Sequence, residues 1–179
     1  METKRNVMLY IAMSLDGYIA KPNDDLSFLS IVEHSDEDYG YSDFIREVDT
    51  ILLGRKTYDW VMTQVAEFPN ANIETYVITR TPRASTGQVN FYSGDLRELV
   101  STLKNRNGKN IFIDGGAEIV NELLKAKLID AFYISIIPIL LGEGIRLFKD
   151  GRPEQKLVLV KEKQFDSGLA QLVYKIASD

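Results

Sequence analysis

Short runs rich in β-branched and aromatic residues alternate along this chain with segments of helical period, and that alternation restricts the fold more than any other feature. The extended runs are residues 7–13, 50–53, 75–79, 88–92, 110–114 and 131–137, most of them nearly continuous in Val, Ile, Leu, Phe and Tyr. Strands of that kind are buried on both faces, as in a parallel sheet covered by crossover helices. The spacing predicts helices over 43–48, 56–65, 95–106 and 117–127, the third opened by Asp95 with Glu98 three residues on. Residues 156–165 and 169–177 read as a hairpin turned by Asp166-Ser167-Gly168. The expectation is one α/β domain over 1–179: a mixed, mostly parallel sheet of seven or eight strands, helices on both faces, and a C-terminal antiparallel hairpin.

Composition narrows the chemistry. A chain of 179 residues that is 45% hydrophobic builds a core without disulfides or a structural metal. With Cys 0 and His 1, thiolate zinc sites, cysteine nucleophiles and redox dithiols are excluded, and a Ser-His-Asp triad would have to use His34. Twenty-one Lys and Arg against twenty-six Asp and Glu leave a net charge of -5, which disfavours a nucleic-acid partner. The polar start, residues 1–6, carries no cleavage signal behind it, and the longest apolar run, 134–141, is broken by Ser135 and Pro138. That run is far short of the ~20 residues that span a bilayer, so a cytoplasmic protein without membrane contact is expected.

Ligands of open α/β sheets sit beyond the carboxyl ends of the parallel strands. Three such ends share a character: Gly54-Arg55-Lys56-Thr57, Thr79-Arg80-Thr81-Pro82-Arg83, and Asp114-Gly115-Gly116-Ala117. Each offers glycines that admit close approach, free amides, hydroxyls or guanidinium forks, the groups a phosphate needs. Singly, each reads equally as a tight turn or a solvated charge. Together, in an acidic chain, they point to an anionic ligand with several phosphates. The P-loop spacing is missing around Gly54 and Gly108, and the Gly142-Glu143-Gly144 start of a dinucleotide fingerprint ends at Leu147.

These residues, with Ala12-Met13-Ser14-Leu15-Asp16-Gly17 before them and Pro138-Ile139-Leu140-Leu141-Gly142 after them, resemble the dihydrofolate reductase superfamily. Within it they are most similar to the reductase domain of bacterial riboflavin biosynthesis and its stand-alone relatives. The motifs keep the family order across residues 7–148. The resemblance implies a three-layer dihydrofolate-reductase-like fold, NADPH as cofactor and a homodimer. It places Ala12 at the nicotinamide, Gly54, Arg55, Lys56 and Thr57 at the pyrophosphate and toward the adenosine, and Thr79 and Arg80 near the 2'-phosphate. Gly115, Gly116, Ala117 and Glu118 form the second phosphate cradle.

On the substrate side, Asp25-Leu26-Ser27-Phe28 is similar to the stretch that carries the pterin-binding carboxylate. It makes Asp25 the catalytic proton donor and Phe28 a substrate contact; the alternative is that Asp24 and Asp25 cap the next helix. Many stand-alone relatives carry their acid two residues later, where this chain has Ser27. Asp114 takes the position of a substrate-binding carboxylate, or orders its own turn. Arg46 or Arg146 would anchor a substrate phosphate. Asp16 reads as a turn residue, Tyr58 and Trp60 as packing, and the acidic run around His34 as a solvated segment or a recruiter of a divalent metal.

The implied activity is hydride transfer from NADPH to a small heterocyclic or ribosyl-linked substrate, as in reduction of 5-amino-6-(5-phosphoribosylamino)uracil. The alternatives are a dihydrofolate or pterin reductase, and an NADPH-binding sensor without turnover. Deaminase activity is not expected, because the cysteines of its zinc site are absent.

Overall fold

Burial that alternates face by face along the central strands decides how the layers stack. The computed structural model describes residues 5–177; of the polar start, residues 1–4 lie outside them. In chain order the elements are β1 (Val7–Ser14), β2 (Tyr18–Ala20), α1 (Tyr41–Arg46), β3 (Val48–Gly54), α2 (Arg55–Gln64), β4 (Glu74–Ile78), β5 (Val89–Tyr92), α3 (Leu96–Lys104), β6 (Asn110–Gly115), α4 (Ala117–Lys125), β7 (Ala131–Ile137), β8 (Ile145–Arg146), β9 (Leu157–Gln164) and β10 (Ala170–Ile176). Eight strands form one sheet in the order β5-β4-β3-β6-β1-β7-β10-β9. The first six are parallel, and the β9–β10 hairpin adds antiparallel strands beside β7.

Val7 and Leu9 face a core shared with α3 and α4, while Met8 faces the opposite core with Phe44 of α1. The α3 stripe of Leu96, Leu99, Val100 and Leu103 and the α4 stripe of Ile119, Val120, Leu123 and Leu124 are buried against the first face. Each of these side chains contributes roughly 1.5–3 kcal/mol by leaving water. The result is the expected three-layer α/β fold.

Three differences from the sequence-based expectation have local causes. The first helix begins at Tyr41 rather than Asp43, because the Asp38 carboxylate accepts from Gly40 N and Ser42 N at 2.9 and 3.0 Å and starts the turn early. A second sheet, β2 with β8, was not expected; its strands are too short to show a period. Arg5, read as part of the polar start, is buried: it donates to Lys109 O at 2.6 Å, Leu103 O at 3.0 Å and Thr50 Oγ1 at 2.7 Å, and pairs with Asp49. Among the described residues no helix is long and apolar enough to cross a membrane.

Candidate functional site

Because β3, β4 and β6 are adjacent and parallel, their carboxyl ends bring all three phosphate-type turns to one edge. Leu53 lies opposite Gly115, and Gly54 opposite Ile78. The β3 and β6 turns touch: a Cβ on Gly54 would stand 3.4 Å from Ile119 Cδ1 and 3.7 Å from Gly116 N. A Cβ on Gly116 would stand 3.5 Å from Thr57 Oγ1. Side chains at these positions would therefore fill the space between the turns. Gly115 also needs a positive φ of 109°, a conformation glycine adopts without strain, and the Gly115–Gly116 peptide is cis.

Helices α2 and α4 open at this edge with Gly54 and Gly116 as N-caps, and neither receives a side-chain cap. Their first-turn N–H groups and the positive ends of their dipoles therefore face the groove. The basic side chains around them are held by exposed ion pairs: Arg55 with Asp59, Lys56 with Asp24 at 3.6 Å, and Arg80 with Glu118 at 3.9 Å. Contacts of that kind are worth little and exchange readily for a phosphate. Thr79 is buried, and its hydroxyl both donates to Thr81 O and accepts from Thr81 N at 3.1 Å, so it orders the turn that presents Arg80. Glycine spacing, open amides and adjacent cations fit a dinucleotide pyrophosphate; Ala12, at the end of β1, lies opposite Ser135 on the same edge.

The substrate side departs from the expectation in three places. Asp25 is exposed, and its carboxylate accepts from Ser27 N at 2.8 Å and Ser27 Oγ at 3.1 Å, which lowers its pKa. The N-cap of the 3-10 turn Ser27–Val32 is Leu26, without a side-chain cap, and the Asp25 carboxylate orders the chain just before it; an exposed carboxyl held toward its ionised form fits the proton-donor role poorly. Phe28 is packed at 2% exposure among Val32, Ile137, Phe165 and Leu169, with Ala12 against the same cluster, and presents no ring to the groove. Arg46 ends α1 just before β3, at the amino edge of the sheet, and pairs with Asp43. The seven residues of β3 separate it from Gly54, roughly 20 Å of strand, too far to share a small ligand. Arg146, its alternative, stands beside β2 at the other edge, its guanidinium 4.7 Å from the centre of the Tyr18 ring.

The carboxyl whose ionised form burial disfavours is Asp114. Only part of its side chain reaches solvent, and burial pushes its pKa up to about 6. Burial, followed by the Asp114 charge, raises the Tyr41 phenol, whose oxygen accepts from Asn70 Nδ2 at 3.1 Å. The Tyr10 ring lies 5.7 Å from that of Tyr41; its hydroxyl donates to Tyr39 O at 3.0 Å and accepts from Gln171 Nε2 at 3.2 Å, and the Gln171 amide also reaches Ser135 Oγ at 3.2 Å. Tyr10 escaped sequence reading because it lies inside a strand-like run where an aromatic residue reads as core, and Tyr41 because it precedes the helix the sequence predicts.

Asp16 is the turn residue expected, and more: it accepts from Ser14 Oγ, Leu141 N and Gly142 N at 2.6, 3.1 and 2.7 Å, tying the loop after β7 to the end of β1, and its pKa falls to about 2. Tyr58 stacks on Phe68, but Trp60 is 43% exposed and packs less than expected. In the acidic run, Asp38 starts α1 and Glu37 accepts from Tyr39 N at 2.8 Å. Among the described residues no group of three His, Asp or Glu is placed to hold a metal. Two cavities lie elsewhere, one of about 490 Å³ walled by residues such as Met13, Phe132, Ile134 and Leu172, another of about 230 Å³ beside His34.

Comparison with known proteins gives the family and the fold. Residues 5–171 match the model of the RibD C-terminal domain. The chain is 42% identical over 172 residues to the uncharacterized protein YwjB of Bacillus subtilis, covering 96% of this chain and 98% of that one. A Shewanella sp. PV-4 structure, provisionally named as a riboflavin biosynthesis protein, superposes with a TM-score of 0.87 at 28% identity over 97% of this chain and 99% of that one. Dihydrofolate reductase from Enterococcus faecalis, solved with NADP(H), superposes with a TM-score of 0.68 at 20% identity over 99% of this chain and 100% of that one. Matched by the family model along nearly its whole length, the chain belongs to the RibD C-terminal domain family and has the dihydrofolate-reductase-like fold.

Proposed function

We propose that this protein is an NADPH-dependent reductase that adds hydride and a proton across a polarised C=N or C=O of a small heterocyclic or ribosyl-linked substrate, of the riboflavin-pathway kind. One observation carries the reading: two uncapped helix N-termini, two basic strand ends and the Gly115-Gly116 turn converge on one edge, with a carboxyl of raised pKa at the end of β6. The fold's NADP(H)-bearing relative supports the same cofactor. NADPH would supply the hydride; the protein's residues do the rest.

In this reading the first-turn amides of α2 and α4 hold the pyrophosphate, Arg55 and Arg80 face the 2'-phosphate, and Ala12 lines the nicotinamide. Asp114 takes the role expected of Asp25: as the neutral acid it donates its proton to the atom that becomes electron-rich when hydride arrives, and solvent restores it. Tyr41 and Asn70 keep that acid in a poorly solvated corner. Arg146, on the correct edge, is the candidate phosphate anchor for the substrate. Two copies complete the proposal. All eight residues of the edge strand β9 are exposed, and antiparallel pairing with its own copy about the centre of residues 157–160 would cover Leu157, Val158, Leu159 and Val160 while closing an open sheet edge.

The test is a titration with NADPH and NADH followed by turnover on pyrimidine and pterin acceptors, read at the nicotinamide absorbance. Tighter binding of NADPH with reduction of a pyrimidine supports the reading. Binding without turnover on any acceptor leaves a sensor instead, and antifolate protection against melting would move the substrate to the folates.

A further inference from the structure

Asp59, one turn into α2, holds two guanidinium groups at once. Arg55, the first residue of that helix, donates to Asp59 Oδ2, and Arg83, from the loop after β4, reaches Asp59 Oδ1 at 3.4 Å. Arg83 is held from a second side, its guanidinium 5.4 Å from the centre of the Phe91 ring. All three charged side chains are 38–49% exposed, so a ligand can reach them. They stand on the β4 side of the β3–β6 cradle, away from Ala12 on β1. With the nicotinamide half directed at β1, the adenosine half runs toward β4. Two converging guanidiniums mark a site shaped for a dianion, and in the free protein its occupant is the protein's own monoanion.

We propose that Asp59 is a specificity-determining residue that competes with the cofactor's 2'-phosphate for Arg55 and Arg83 and thereby sets the ratio of NADPH to NADH affinity. The inference rests on the NADPH reading above. Asp59 acts in opposite senses on the two cofactors. It brings the two arginines together but cancels one of their charges and repels an incoming phosphate. Toward NADH it is an acceptor for the ribose 2'-hydroxyl, the arrangement by which an acidic residue favours the cofactor without the phosphate. A carboxylate here therefore narrows the gap between the cofactors, and Asn, equal in size but neutral, would widen it.

Fluorescence titration of the wild type, D59N and R83A with NADPH, NADH and adenosine 2',5'-bisphosphate tests this. In D59N the NADPH-to-NADH affinity ratio is expected to rise about fivefold, the worth of one nearby charge in a largely aqueous setting, with the bisphosphate tightening in parallel. R83A is expected to lower the ratio. An unchanged or reduced ratio in D59N, with the wild type still preferring NADPH, overturns the role of Asp59 and leaves the cofactor reading standing. A wild type that responds to neither NADPH nor the bisphosphate overturns both.

Discussion

Three helices begin along the carboxyl edge of the sheet, and their first turns are built in two ways. Helix α3 follows β5 and is closed by Asp95, whose carboxylate accepts from Arg97 N and Glu98 N at 2.8 and 3.0 Å. Helices α2 and α4 follow β3 and β6, enter through Gly54 and Gly116, and receive no side-chain cap. All three share the same dipole and the same orphan amides, so the difference lies in one residue at each cap. A protein that needed only stable helices would cap all of them, since a capping side chain is worth ~1 kcal/mol. Two are left open, side by side, where glycines also clear the space between them, and in the proposed reading those amides hold the cofactor's pyrophosphate.

The comparison can be broken by making an open helix resemble the closed one. Replacing Gly54 by Asp gives α2 a carboxylate at its cap and places a Cβ 3.4 Å from Ile119 Cδ1. NADPH affinity should fall by about 100-fold, since a fixed negative charge replaces the phosphate at the amides, while circular dichroism and melting stay near the wild type.

Next in size is a pH effect at the other end of the groove. Burial raises Asp114 from 3.8 to about 6, so the folded state binds its proton more tightly than the unfolded chain does. The stabilisation is then full below pH 4 and is lost as pH rises through about 6. Asp114→Asn should remove about 2 kcal/mol of this pH dependence between pH 4 and 7, measured by urea unfolding. The same proton predicts that turnover declines above pH 6 in the wild type.

Arg80→Ala should weaken NADPH about tenfold and NADH little, because its guanidinium faces only the 2'-phosphate in this reading. An equal loss for both cofactors would remove Arg80 from that role. Smallest is Asp95→Ala, which opens α3: stability should drop by ~1 kcal/mol in thermal unfolding, with NADPH affinity unchanged because no cradle adjoins that helix.

Much of this was legible in the residues. Strands buried on both faces announce themselves by continuous Val, Ile and Leu, and the meeting of the Gly54, Thr79 and Gly115 turns on one edge could be read because each follows such a run. Asp95 was legible as a cap for the same local reason. What failed is what depends on long-range placement. Arg46 looks like a phosphate anchor until parallel β3 carries it to the far edge, and Asp25 looks like a buried acid until its carboxylate turns to Ser27 N. Tyr41, at the start of α1, and Asn70, in the loop before β4, meet across 29 residues, and Asp59 meets Arg83 across 24. No local pattern marks such pairs.

Amide hydrogen exchange with and without NADPH tests the central claim most directly. Protection should appear in the first turns of α2 and α4, residues 55–57 and 117–119, and be absent from residues 96–98 of α3. Protection confined to other segments, or appearing equally in all three helices, would contradict the assignment of the open N-termini as the dinucleotide grip.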